Sequence, residues 1–371
     1  MASRKRIIPS PARPASLASA ARAGSDYGVS DRPDWRTVAW RSHLRAVTVD
    51  GRRIHLVDIG SGAAPPIVFV HGLGGRWQNW IENIPHVAGE RRVVAFDLPG
   101  FGRSQLPREP ISIAGYAAAL DRLCDLLEFE SVVLVGNSMG GAIAAETAMR
   151  HPARVQRLVL VSPAAISITD FNPAPAAALM SVINRTPLGS PAGMRATIGR
   201  RRARHLAFAT LLRHPTLIAT DTLFELVGGR GAPGLAGATM AMIANDLRGA
   251  FPSIATPALV VHGRDDMLVP VADSVWLAEQ LPNARLEIFE DTGHLSMLER
   301  PVRFNRLLLR FAQKRNPRKL MWASDYPILP FDRTLTEGRA LPLTGEARAG
   351  YLGRNAIAVF GAPISHPEKE L

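Results

Sequence analysis

The chain has 371 residues, 47% of them hydrophobic, enough for one large α/β domain or two smaller ones with a sizeable core. Its net charge of +12 comes with no RNP-like motif, zinc-finger spacing or basic heptad, so the charge is read as diffuse and nucleic acid is not a predicted partner. The one cysteine, Cys124, excludes an intrachain disulfide and fits a reducing, cytoplasmic setting.

The opening MASRKRIIPSPARPASLASAARAGS contains no acid and is rich in Arg, Ser, Pro and Ala. It lacks the apolar core of roughly 7 to 15 residues that a secretory signal needs, and a disordered leader is expected over 1–34. No apolar run approaches the length of about 20 residues that spans a bilayer. LRAVTVDGRRIHLVDIG alternates apolar and polar residues around Asp50-Gly51, the pair that a type I′ turn prefers, and predicts an antiparallel hairpin. Short apolar runs follow: IVFV, RVVAF, VVLV, RLVLV and, after a long interruption, ALVVH and RLEIF. Strands covered on both faces read this way, which predicts a mostly parallel sheet. Between them, Ile113, Tyr116, Leu120, Leu123 and Leu127 recur at helical spacing, with Cys124 beside that face as a small buried filler.

From Ser162 to about Ile254 the β/α rhythm stops. That is too long for a structureless loop and predicts an inserted helical cap over 164–254. Its apolar content, including Met180, Met194, Met240 and Met242, points to a hydrophobic substrate. The basic run GRRRARH (Gly199 to His205) reads as a solvated helix face, with peripheral contact to anionic lipid as the alternative.

The chemistry concentrates in VVLVGNSMGGAIAAE. A strand, a tight turn centred on Ser138 and then a helix make a nucleophile elbow: Gly136 and Gly140 keep side chains out of the turn, and the helix N-terminus favours developing negative charge. A serine hydroxyl needs a base. EIFEDTGHLSMLERP supplies His294 just past a predicted strand, and LVVHGRDDMLVP supplies Asp265 and Asp266 past the one before it. His262, at a strand end, reads as a satisfied buried histidine.

With these motifs in this order, residues 44 to 313 resemble the α/β-hydrolase superfamily. The resemblance implies a mostly parallel sheet with helices on both faces and an inserted helical cap, Ser138 as nucleophile and His294 as base. It points to Asp266, four residues before Pro270, as the acid, with Asp265 the alternative. FVHGLGG then implies an oxyanion hole from the backbone N–H groups of Leu73 and Met139. His71 is read as holding that loop, and Asp97 in AFDLPGFGRS as holding a turn. Trp77, Asn79 and Trp80 are candidates for the acyl pocket. No histidine pair stands at a metal-ligand spacing, so neither a metal nor a cofactor is predicted.

GNSMGGA and GRDDMLVP look like the meta-cleavage-product hydrolases, which cut a C–C bond beside a vinylogous ketone. Those enzymes usually carry Trp four residues after the histidine, where Leu298 stands, and a Gly/Ser-Gly-Pro-Gly loop where GLGGRWQNW stands. Hydrolysis of a carboxylic ester of a hydrophobic small molecule therefore ranks first, C–C hydrolysis second, and a low-turnover receptor on the same fold third. The expected organisation is a core over 35–163 and 255–313, the cap, and a C-terminal segment over 314–371. In that segment KLMWASDYPILP resembles the end of an amidohydrolase-related barrel, with Asp325 at the family's metal position. A (β/α)₈ barrel needs about 250 residues, so a remnant that binds no metal is expected.

Overall fold

The computed structural model describes residues 10–170, 191–228 and 231–313; the segment 314–371 with Asp325, the start of the leader and Met180 lie outside the described residues. Its frame is an eight-stranded sheet: β1 Leu44–Val49, β2 Arg52–Ile59, β3 Ile67–Val70, β4 Val93–Phe96, β5 Val132–Asn137, β6 Val155–Val161, β7 Ala258–Gly263 and β8 Ala284–Phe289. The spatial order is β1-β2-β4-β3-β5-β6-β7-β8. The β1–β2 and β2–β4 pairs are antiparallel, and every pair from β4 to β8 is parallel. The predicted hairpin is present, with Asp50 at φ 51° and Gly51 at φ 68°, as a type I′ turn requires.

Strand alternation divides the apolar residues between two layers. Val68, Val70, Leu134 and Leu160 face one side, under α2 (Ile113–Leu126), α3 (Met139–Arg150) and α8 (Val271–Gln280). Ile67, Phe69, Val133 and Val161 face the other, with α1 (Ile84–Ala88) and α10 (Pro301–Ala312). Helix α2 begins at Ser112, whose side chain accepts the Gly115 amide, and buries the predicted stripe together with Cys124.

Among the described residues of the insertion between β6 and β7 there are four α-helices: α4 Pro191–Gly199, α5 Arg201–Phe208, α6 Thr220–Val227 and α7 Leu235–Ala244. Met194 and Met242 are buried there, whereas Met240 is exposed. Arg201 and Arg202 lie exposed on α5 beside Leu206. The short α9 (Ser296–Glu299) leads into α10.

The leader expected to be disordered over 1–34 is, from residue 10, packed on the domain. Ser16 caps a short 3₁₀ turn over Leu17–Arg22, and Tyr27 is buried with its hydroxyl donating to Glu299 (2.5 Å). The Gly28 amide donates to the Glu299 carbonyl (2.7 Å) and the Trp35 indole N–H to Glu82 (3.0 Å). A few aromatic and hydrogen-bonded anchors fix this segment, which the low density of apolar residues does not reveal. Among the described residues no helix is long and apolar enough to cross a membrane.

Candidate active site

Parallel strands put the carboxyl ends of β3, β5, β6, β7 and β8 along one edge, and the chemistry-bearing loops gather there. Ser138 follows β5 at φ 55° and ψ −119°, a backbone conformation costing about 1–3 kcal/mol that only a well-determined surrounding can hold. The surrounding is specific. The Ser138 amide donates to Val161 O (2.9 Å), and its carbonyl accepts from Gly141 (2.9 Å) and Ala164 (3.1 Å). A Cβ at Gly136 would lie 2.1 Å from Gly140 O, and one at Gly140 would lie 2.3 Å from Val70 O, so strand and helix meet only because both residues are glycine. The Ser138 hydroxyl has no hydrogen-bond partner among the described residues.

His294 lies in the loop after β8, 2% exposed, with its amide donating to Leu211 O of the cap (3.0 Å). Its Nδ1–H donates to Asp266 Oδ2 at 2.7 Å, which leaves Nε2 with the lone pair and no partner among the described residues. Asp266 is buried, and its Oδ1 accepts from the amides of Leu268 (2.8 Å) and Val269 (3.0 Å). Burial opposes its ionisation. The charge and hydrogen bonds of His294 and His262 outweigh that and hold the carboxyl well below the usual range. Asp265 is turned elsewhere: its carboxylate lies 3.4 Å from Arg213, and burial raises its pKa. Of the two adjacent acids, Asp266 is the one bonded to His294.

The loop after β3 closes the other side. A Cβ on Gly72 would sit 3.1 Å from the Ser138 Cβ, so this loop lies against the serine. His71 is fully buried, with Nδ1–H donating to Gly72 O (2.8 Å) and Nε2 accepting from the Leu98 amide (3.0 Å). Both nitrogens are occupied by a neutral ring, and burial depresses its pKa. The amides of Leu73 and Met139 donate to no acceptor among the described residues. Asp97 holds its turn by accepting from the Trp77 and Arg103 amides, 2.9 Å each.

Trp77, Asn79 and Trp80, the sequence candidates for an acyl pocket, are buried in contacts within the fold. The chain turns after Gly75 into a 3₁₀ turn over Trp77–Trp80 that leads to α1. Trp80 is stacked on Phe69 with ring centroids 4.7 Å apart, Trp77 packs on Trp40 at 5.0 Å, and Asn79 accepts the Arg76 amide at 3.2 Å. Their aromatic surface is spent on the layer of Phe69, opposite the layer that α3 covers.

Two residues at the site were not foreseen as parts of it. His262 faces Asp266. Glu299, fully buried, accepts from the amides on both sides of His294, Gly293 (2.9 Å) and Leu295 (3.2 Å), and from the Arg213 amide of the cap (2.8 Å). The available signal was an acid directly after the apolar pair Met297-Leu298. Burial raises its pKa, against these donors and the Tyr27 hydroxyl. Arg76, next to Gly75 at the end of the loop after β3, donates to the Glu225 carbonyl and carboxylate of α6, 2.9 Å each, and so ties loop to cap. Among the described residues no group of three or more His, Cys, Asp or Glu side chains is arranged to hold a metal.

Comparison with known proteins agrees with the topology. Residues 65–301 match the family model described as alpha/beta hydrolase fold. The 2-hydroxymuconate semialdehyde hydrolase of Pseudomonas sp. strain CF600 is 33% identical over 282 residues, covering 71% of this chain and 92% of the relative. The 2-hydroxy-6-oxo-2,4-heptadienoate hydrolase of Pseudomonas putida is 31% identical over 270 residues, covering 71% and 94%. Among solved structures, the enol-lactonase of Burkholderia xenovorans LB400 superposes with a TM-score of 0.59 at 26% identity, covering 73% of this chain and all of that one. By strand order, motif order and family match alike, this chain is a hydrolase of the α/β-hydrolase superfamily.

Proposed function

We propose that the protein is a serine hydrolase that attacks the carbonyl of a small apolar acyl compound. The 2.7 Å bond between His294 Nδ1 and Asp266 carries this reading, because it fixes the imidazole tautomer whose Nε2 can accept the proton of Ser138. Ser138 Oγ adds to the carbonyl carbon as its proton passes to His294 Nε2. The amides of Leu73 and Met139 stabilise the resulting oxyanion. Collapse returns the proton to the leaving group and leaves an acyl group on Ser138, and water, activated by the same histidine, releases the acid.

Two substrate classes fit. The enol-lactonase is similar in structure and its name denotes an enol ester, which supports ester hydrolysis. The C–C reading is supported at least as strongly, by the relatives named for 2-hydroxymuconate semialdehyde and a 2-hydroxy-6-oxo-dienoate. Such a dienoate has no ester or amide bond, so its hydrolysis breaks the C–C bond beside the keto group and expels a dienolate. Both reactions share an acyl carbon whose leaving group is a conjugated enolate, through oxygen in one and carbon in the other. We assign this class.

The test is a panel of p-nitrophenyl esters, an enol lactone and a 2-hydroxy-6-oxo-dienoate, each run with wild type and Ser138→Ala. The expected result is turnover of an enolate-releasing substrate, reduced by on the order of 10⁴-fold or more in the variant. Undiminished turnover in Ser138→Ala contradicts the mechanism. Tight binding with negligible turnover across the panel supports the low-turnover receptor instead.

A further inference from the structure

The Asp266 carboxylate carries a second imidazole. His262, the fifth residue of β7, is fully buried, and its Nε2 lies 3.2 Å from Asp266 Oδ2, the same oxygen that accepts the His294 Nδ1–H. That Nε2 also faces the Val269 carbonyl at 3.1 Å. Two acceptors around one ring nitrogen require it to carry the proton, so His262 is an Nε2–H donor whatever its charge. On its far side Nδ1 lies 2.6 Å from the hydroxyl of Ser274, a buried residue of α8, which locks the ring. With Oδ1 held by two backbone amides and Oδ2 shared between two imidazoles, the carboxylate has no free rotation left.

We infer that His262 is a positioning residue of the catalytic machinery: through its Nε2–H it orients Asp266 and shares the oxygen that His294 relies on, with Ser274 fixing its tautomer. The inference rests on the triad proposed above. A carboxylate oxygen that already accepts one hydrogen bond stabilises a protonated His294 less than an oxygen serving His294 alone. His262 therefore takes a share of the Asp266 oxygen that would otherwise serve His294 alone. The charged groups facing His262 are Asp266 and, from α8, Asp273, with His294 across the shared carboxylate.

The experiment is an NMR titration of ¹⁵N-histidine-labelled full-length protein that follows the His294 ring, in wild type, His262→Leu, His262→Gln and Ser274→Ala, with thermal melting as the folding control. His262→Leu, which removes the donor, is expected to raise the His294 midpoint by about half to one pH unit. His262→Gln, which keeps an amide donor, should stay near wild type, and Ser274→Ala should move part of the way. In the kinetics the acid limb of kcat/KM should move by the same amount with KM unchanged. An unmoved midpoint in His262→Leu, or equal shifts in Leu and Gln, overturns the inference and leaves His262 as packing. Should His262→Leu fail to fold, an unmoved midpoint in Ser274→Ala overturns it. Because the titration needs no substrate, its outcome is separate from the Ser138→Ala result: either reading can fall alone.

Discussion

At the residue scale, adjacent side chains have unequal fates. Asp265 and Asp266 are neighbours in sequence, and nothing in the one-dimensional pattern separates them beyond their distance from Pro270. In space the Asp266 carboxylate accepts from His294 and lies 3.2 Å from His262 Nε2, while the Asp265 carboxylate lies toward Arg213. Asp266→Asn is accordingly expected to keep the geometry but impose the wrong tautomer on His294, lowering kcat by about 10⁴-fold. Asp265→Asn should change it by less than about tenfold, and steady-state kinetics of the two variants side by side check this. The pH sign follows from the depressed Asp266 pKa. Its contribution to stability is complete above the unfolded value of about 3.9 and is lost as pH falls through the lower folded value, so a melting series should drop below about pH 4. Cys124 is the contrasting case. Burial pushes its thiol up to about 12, so iodoacetamide at about pH 8 should leave the native protein unmodified and alkylate the denatured chain.

At the element scale, the features legible in the sequence are those written as periodicity or as obligatory small residues. The apolar runs gave the parallel strands, buried except at the β8 edge, Asp50-Gly51 gave the hairpin turn, and the glycines around Ser138 gave the tight strand-to-helix turn. Gly136→Ala tests the last of these: its methyl would meet Gly140 O at 2.1 Å between two rigid elements, and a loss of more than about 3 kcal/mol, or failure to fold, is expected by thermal melting. The packing of Trp77 on Trp40 and of Trp80 on Phe69 was not legible, because a place along the chain just after Gly75 does not state which way the chain then turns. A 3₁₀ turn sends them into the Phe69 layer. The place of β4 between β2 and β3 was equally hidden, since crossovers leave no local pattern.

At the scale of the whole molecule, loops from different parts of the chain brace His294 and its loop. Glu299 joins the His294 loop, the cap at Arg213 and the leader at Tyr27, while the cap carbonyl of Leu211 accepts the His294 amide itself. This brace is built from single hydrogen bonds between distant residues, which explains why the leader reads as disordered in sequence and packs in the structure. Tyr27→Phe should cost about 1–3 kcal/mol, because the Glu299 carboxylate loses a donor and the His214 amide loses its acceptor at 2.8 Å, and Tm reports it. The proposed mechanism turns on the Ser138 hydroxyl, and labelling with a fluorophosphonate probe followed by peptide mapping reads it most directly. A single adduct on Ser138 is expected, absent in Ser138→Ala and slowed by orders of magnitude in His294→Ala; an adduct on another residue, or one formed at full rate without His294, would contradict the account.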